Sequence, residues 1–246
     1  MQKENVFVSC IKNRHINTVD DEYPFCIPVI RKIDHLIFDK SVTYIIGENG
    51  SGKSTILEAL AVLLRLNPEG GSRNFNFSTA NTHSKLYEDL LLVRSDLTYK
   101  DAYFFRAESY YNVASEIERL NAIDGGMYAS YGGKSIHEWS HGEGIMALIN
   151  NRLNGKGIYI FDEPEAALSF KNQLAFLCWM KDAVSKGSQI IITTHSPVIL
   201  SYPDSCIYEI NGDSIERKSY SSTKVFTDMY GFMLNRELIM HELGLE

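Results

Sequence analysis

The most informative segment of the chain reads Gly47-Glu48-Asn49-Gly50-Ser51-Gly52-Lys53-Ser54. It matches the pattern G-x-x-x-x-G-K-[ST] in full. Residues 42–46 before it are β-branched and aromatic, which predicts a buried parallel strand, and residues 54–66 after it have helical spacing. Strand, glycine-rich loop and helix in this order predict a loop whose backbone N–H groups surround phosphates. We expect Lys53 to place its charge on the β and γ phosphates and the Ser54 hydroxyl to ligate Mg²⁺.

A second apolar run, residues 158–161, ends in two carboxylates, Asp162 and Glu163. The carboxyl end of a parallel strand opens into the crevice where ligands bind. Asp162 is therefore predicted to hold Mg²⁺ through water, together with Ser54. Because adjacent side chains on a strand point to opposite faces, Glu163 is assigned a separate task as the general base that polarises the attacking water. An acidic cap for the following helix is an alternative that is compatible with this role.

Strands and helices alternate along the chain, which predicts an α/β fold with a mostly parallel sheet covered on both faces. The predicted strands span residues 6–11, 42–46, 102–105, 157–161 and 189–193, followed by a hairpin of 206–210 and 214–217 around Asn211-Gly212. The predicted helices span residues 54–66, 112–120, 145–153 and 169–185. Residues 86–93 form an amphipathic segment, and residues 70–84 are polar and irregular.

Composition narrows the possible partners. The 246 residues are 44% hydrophobic, and they contain no apolar run near the ~20 residues that a membrane-spanning helix needs, so we expect a cytoplasmic protein without direct membrane insertion. The formal charge of −7 argues against autonomous DNA binding without excluding a local basic patch. The 4 cysteines lack zinc-site spacing and are interpreted as incidental thiols.

Further motifs follow the phosphate loop in a fixed order. They read Trp139-Ser140-His141-Gly142-Glu143-Gly144, Asp162-Glu163-Pro164 and Thr194-His195-Ser196-Pro197. With the phosphate loop they resemble the ABC-type ATPases, and the first looks like a variant of the L-S-G-G-Q signature of that class. The resemblance implies a P-loop NTPase fold, an ABC-type ATPase head with a small helical subdomain, and ATP and Mg²⁺ as cofactors.

The same resemblance implies site residues. His195 would be the switch histidine that links the γ-phosphate to the attacking water, while Ser140 and Gly142 would contact the γ-phosphate held by a second subunit. The predicted nucleotide contacts are Gly47, Glu48, Asn49, Gly50, Ser51, Gly52, Lys53, Ser54, Thr55, Ser140 and Gly142. Taken alone, Ser140 would be a helix N-cap and His195 a satisfied histidine at a strand end.

The motifs also depart from the family pattern. The signature differs at Trp139, His141 and Glu143, so no role is carried over to the last two. The glutamine expected after residues 102–105 is missing, and Glu108 is either its substitute or a surface carboxylate. Tyr23 and Phe25 could stack on adenine or pack in the core.

Glu165-Ala166-Ala167-Leu168 and the Gly-Glu-Asn-Gly run of the phosphate loop resemble the RecF/SMC-like branch, in particular its small stand-alone bacterial ATPases. That resemblance covers roughly residues 23–222. It implies one ATPase domain over residues 1–246, with a core of about 1–105 and 135–222, a helical insertion of about 106–134 and a helical tail, 223–246.

The implied partner is a second copy bound through ATP, with a nuclease or other effector and DNA as further candidates. Three classes of function are left open. A head acting on DNA or in antiphage defence is favoured over a regulatory switch and over the ATPase subunit of a transporter.

Overall fold

The computed structural model describes residues 5–14, 22–73, 84–153 and 155–245. Most of the segment predicted to be polar and irregular, residues 70–84, lies outside these ranges. The described strands are β1 (Val8–Asn13), β2 (His35–Ile37), β3 (Val42–Gly47), β4 (Gly71–Ser72), β5 (Leu90–Arg94), β6 (Asp101–Arg106), β7 (Gly157–Asp162), β8 (Gln189–Thr193), β9 (Cys206–Asn211) and β10 (Ser214–Lys218). The described α-helices are α1 (Pro28–Lys32), α2 (Lys53–Leu63), α3 (Leu86–Asp89), α4 (Tyr110–Asp124), α5 (His141–Arg152), α6 (Phe170–Ser185), α7 (Pro197–Leu200), α8 (Lys224–Leu234) and α9 (Arg236–Glu242).

The main sheet of the described residues has the strand order β10-β9-β3-β8-β7-β6-β4. Its centre, from β9 to β6, is parallel, whereas β10 and β4 pair antiparallel at the two edges. A smaller antiparallel sheet has the order β2-β1-β5. The predicted α/β fold with a mostly parallel sheet is therefore confirmed.

The core divides by face because side chains on a strand alternate. Tyr44 and Ile46 of β3 belong to one buried cluster, which includes Phe176 of α6. Ile45, between them, belongs to a second buried cluster that includes Ile56 of α2. Helices thus cover both faces, and the phosphate-loop helix α2 lies on the face opposite to α6.

Local boundaries differ from the predictions where polar residues begin an element. Helix α5 begins at His141 rather than 145, because Ser140 and Glu143 form a capping box ahead of it. Residues 86–93 divide into α3 and β5, and β5 pairs with β1. The hairpin turn lies at Gly212 and Asp213, one residue later than predicted, since Ser214 pairs with Asn211.

No side chain of α8 or α9 is fully buried, although Val225 of α8 packs against the cluster that includes Tyr44 and Phe176. Among the described residues, none of the helices combines the length and the apolar character that crossing a membrane requires. The division into core, helical insertion and helical tail stays a prediction.

Candidate nucleotide-binding site

The phosphate loop joins the end of β3 to the start of α2. Its last glycine, Gly52, is the N-cap of α2 and has a φ of +100°, which side chains with a Cβ rarely adopt. Lys53 is 4% exposed, and its Nζ donates to the carbonyl oxygens of Gly47 and Glu48, both at 3.0 Å. Burial lowers the pKa of Lys53, although nearby carboxylates, Glu163 first, act in the opposite direction. The predicted phosphate-binding cation is thus held inside the loop.

Tyr23 and Lys224 contact this loop and its helix from other parts of the chain, whereas Phe25 packs in the core. Tyr23 is 57% exposed, and its hydroxyl lies 3.2 Å from Thr55 Oγ1. Phe25 packs against the core cluster beneath α2, so core packing accounts for this ring. From the C-terminal tail, Lys224 Nζ pairs with Glu48 Oε1 at 2.5 Å, an exposed contact that contributes little to stability.

Asp162 lies at the carboxyl end of β7 and is 4% exposed. Its Oδ1 accepts hydrogen bonds from Ser54 Oγ at 3.1 Å and from Thr193 Oγ1 at 2.5 Å. Burial raises the pKa of Asp162, and the Thr193 hydrogen bond and the charge of Arg106 oppose that rise. The two predicted metal ligands, Ser54 and Asp162, are therefore neighbours.

The donor set fits magnesium. A hydroxyl and a carboxylate are hard oxygen donors, and Mg²⁺ is usually held by one or two protein groups together with phosphate oxygens and water. Within the described ranges no group of three or more His, Cys, Asp or Glu side chains could form a closed metal cage. The assignment of Ser54 and Asp162 to Mg²⁺ stays a prediction.

Glu163 and His195 meet at the same edge of the sheet. Glu163 Oε1 lies 3.3 Å from His195 Nε2, and the two side chains are 39% and 37% exposed. The backbone of Glu163 is left-handed, with φ 51° and ψ 55°, a conformation that costs a non-glycine residue about 1–3 kcal/mol. Its N–H donates to the carbonyl oxygen of Thr193 at 3.1 Å. Asp162 and Glu163 thus face different partners, as the proposed division of tasks requires, while the catalytic roles of Glu163 and His195 stay predictions.

Two residues that the sequence did not single out hold this pair in place. Thr193 binds both Asp162 Oδ1 and the backbone of Glu163. Glu165 accepts the backbone N–H of His195 at 2.5 Å, and burial raises the pKa of its carboxyl. Glu165 was noted only as part of a family motif, and Thr193 only as the end of a strand. Glu165 follows Asp162 closely in the sequence, and Thr193 precedes His195 closely. A carboxylate and a hydroxyl so near these two motifs are the signals that could have identified them.

The signature segment begins α5. Ser140 Oγ donates to Glu143 Oε2 at 2.5 Å and accepts the Glu143 N–H at 3.4 Å, which makes Ser140 the N-cap of the helix. A Cβ on Gly142 would lie 2.7 Å from the carbonyl oxygen of Ala167, so glycine is required for this close approach. Glu143, to which no role was carried over, completes the capping box. The contact of Ser140 and Gly142 with a γ-phosphate of a second subunit stays a prediction.

The segment where the glutamine was expected begins at Arg106, the last residue of β6, which pairs in register with Asp162. Its Nη1 binds Glu58 Oε2 at 2.9 Å, its Nη2 binds Glu108 Oε2 at 3.2 Å, and its Nε lies 3.8 Å from Asp162 Oδ2. The Glu108 side chain is 82% exposed, which favours the surface-carboxylate alternative for that residue. The group of β6 that lies closest to the Asp162 carboxylate is thus a guanidinium.

Comparisons with known proteins bear on the family and the fold of the chain. Residues 29–141 match a family model described as "AAA domain", and residues 145–201 match one described as "AAA domain, putative AbiEii toxin, Type IV TA system". The chain is similar to the macrolide export ATP-binding/permease protein MacB of Marinobacter nauticus, with 24% identity over 79% of this chain and 32% of that protein. It is also similar to the pyoverdine export ATP-binding/permease protein PvdT of Pseudomonas fluorescens, with 24% identity over 81% of this chain and 32% of that protein.

The chain spans about a third of the length of these curated relatives. Among solved structures, a bacterial Atm1-family ABC exporter with ATP bound shares the fold, with a TM-score of 0.51, 17% identity, and coverage of 93% of this chain and 42% of that one. The phosphate loop, the acidic strand end and the histidine after β8 lie together in space as the motif order predicts. The chain is therefore a P-loop ATPase with the motif order of the ABC type, and both of its family matches are to AAA domains.

Proposed function

We propose that two copies of this chain enclose ATP between them and hydrolyse it. The observation that carries the proposal is the pair Glu163 and His195, 3.3 Å apart, beside the Ser54–Asp162 contact of 3.1 Å. Each copy would supply the phosphate loop of one site and Ser140 to Gly144 of the other. The γ-phosphate would then bridge the subunits, and its hydrolysis would remove the bridge.

In the proposed reaction water attacks the γ-phosphate in line, and catalysis comes mostly from positioning and charge neutralisation. Lys53 and the loop N–H groups bind the β and γ phosphates. Glu163 accepts the proton of the attacking water, and His195 holds that water against the phosphate. Ser54 and Asp162 would hold Mg²⁺, which neutralises charge on the phosphate oxygens when it is bound.

We propose that ATP hydrolysis by this chain serves DNA maintenance or antiphage defence. The chain would act in the cytoplasm, together with a partner such as a nuclease. The match of residues 145–201 to a family described in part as "putative AbiEii toxin, Type IV TA system" supports this class of function. The lack of the expected glutamine after β6 also supports it. In transporter ATPases the loop at that glutamine is the usual contact with the membrane subunits. The acidic net charge of −7 favours a partner, rather than this chain alone, as the DNA-binding component.

The transporter subunit is the second candidate, because the curated relatives are export ATP-binding/permease proteins. A regulatory switch, in which the ATP-bound dimer recruits an effector, is the third. The deciding measurement is ATP hydrolysis by the purified chain with and without double-stranded DNA, alone and with products of adjacent genes. Stimulation by DNA or by a neighbouring nuclease supports the first function. Stimulation only by a neighbouring permease in vesicles contradicts it in favour of transport.

A further inference from the structure

Arg106 is a partly buried cation surrounded by carboxylates. Its guanidinium is bonded to Glu58, which is itself buried, and to the exposed Glu108. Burial lowers the pKa of Arg106, but Asp162, Glu58 and Glu108 more than offset this, so the group stays charged. Its Nε is buried and makes no hydrogen bond to any residue that the structure describes. This edge of the guanidinium faces Asp162.

The two oxygens of Asp162 have different surroundings. Oδ1 already accepts hydrogen bonds from Ser54 and Thr193. Oδ2 faces Arg106 Nε at 3.8 Å, which is too long for a hydrogen bond. Because Asp162 is only 4% exposed, this distance is short enough for a strong charge interaction. Oδ2 is therefore the oxygen that a metal-bound water would have to share with Arg106.

We propose that Arg106 is a positioning residue that competes with Mg²⁺ for Asp162 and thereby sets the metal concentration at which the site becomes active. This inference rests on the proposed ATPase site and adds a regulator to it. Arg106 orients Asp162 through the approach of its Nε to Oδ2, and its positive charge would repel a divalent cation. If a metal took Asp162 away from Arg106, the guanidinium would still have Glu58 and Glu108 as counter-charges, so no buried charge would be left uncompensated.

The test measures metal binding directly, with Mn²⁺ in place of Mg²⁺ and a non-hydrolysable ATP analogue bound. Free Mn²⁺ is followed by electron paramagnetic resonance in the parent, Arg106→Gln and Arg106→Lys proteins. Removing the cation should tighten Mn²⁺ binding by about threefold or more, since like charges a few ångströms apart repel strongly in a poorly solvated site. Arg106→Lys should restore parental binding. Arg119→Gln is the matched control, because Arg119 is 59% exposed and pairs with Glu116, a carboxylate of its own helix α4.

A folded Arg106→Gln protein that binds Mn²⁺ as the parent does, or more weakly, overturns the inference, because it means that Arg106 only supports Asp162. If Arg106→Gln fails to fold, the Glu58→Gln/Arg106→Gln protein replaces the buried ion pair by two neutral groups. It is compared with Glu58→Gln, so that only the charge at position 106 differs, and it should bind Mn²⁺ more tightly than that single variant. Calorimetry of the analogue with the parent protein distinguishes a failure of the proposed ATPase site from a failure of the proposed role of Arg106. A parent that does not bind the analogue refutes the proposed ATPase site, whereas a parent that binds it leaves only the role of Arg106 under test.

Discussion

Replacement of Glu163 by glutamine tests the division of tasks at the acidic strand end. The change keeps the size and polarity of the side chain but removes the proposed base beside His195. Loss of a general base typically lowers a rate by ~10²–10⁴-fold, which corresponds to about 3–5 kcal/mol of activation free energy. The thermal midpoint should barely move, because a half-exposed pair of this kind contributes about 0–1 kcal/mol to folding.

ATP binding should survive in Glu163→Gln, because Lys53, Ser54 and Asp162 are untouched. ATP-bound dimers should therefore accumulate. The assay combines phosphate release with size-exclusion chromatography and light scattering in ATP and Mg²⁺. Glu216→Gln, which neutralises an exposed carboxylate on β10, is the control and should behave as the parent does. Hydrolysis by Glu163→Gln at the parental rate would refute the base assignment, and slow hydrolysis by a protein that stays monomeric would count against the dimer.

Three further substitutions separate the other tasks. Lys53→Ala removes the buried cation of the phosphate loop, where truncating a charge-assisted contact costs roughly 2–5 kcal/mol. Calorimetry should therefore show ATP affinity at least about tenfold lower, while the circular dichroism spectrum stays unchanged. Asp162→Asn removes the carboxylate that Ser54 and Thr193 orient, so nucleotide binding should lose its dependence on Mg²⁺ and light scattering should detect no dimer; tight magnesium-dependent binding would rule out Asp162 as a metal ligand. Ser140→Arg puts bulk and charge at the start of α5, and the protein should bind ATP as a monomer with little hydrolysis; an ATP-dependent dimer in this variant would contradict the sandwich.

The local part of the site was predictable from sequence. The order of strand, glycine-rich loop and helix around Lys53 is set by short-range signals, and β3 and α2 begin and end within a few residues of the predicted limits. The neighbourhood of Ser54 and Asp162 followed from one rule, that the carboxyl ends of the parallel strands of one sheet lie at the same edge. The structure bears out that expectation across 108 residues of chain.

The polar contacts between neighbouring strands were not predictable in the same way. Arg106 faces Asp162 only because β6 and β7 pair in a particular register, which hydrophobic periodicity does not specify residue by residue. The left-handed backbone at Glu163 carries no sequence signal, since such strain is imposed by the surrounding structure. No role was predicted for Glu143, because it departs from the signature pattern. Ser140 and an acidic residue three positions later are nevertheless the elements of a capping box.

The central claim is that each ATP site is built from two chains, and a mixing experiment tests it most directly. Lys53→Ala and Ser140→Arg proteins should each be nearly inactive alone. In their mixed dimer one site joins the intact phosphate loop of the Ser140→Arg chain to the intact signature of the Lys53→Ala chain. Because neither variant is expected to dimerise with itself, only mixed dimers should form, and one working site in each two-fold dimer predicts recovery of up to roughly half of the parental hydrolysis rate per chain. A mixture that stays as inactive as its two components, although both proteins are folded, would contradict the account.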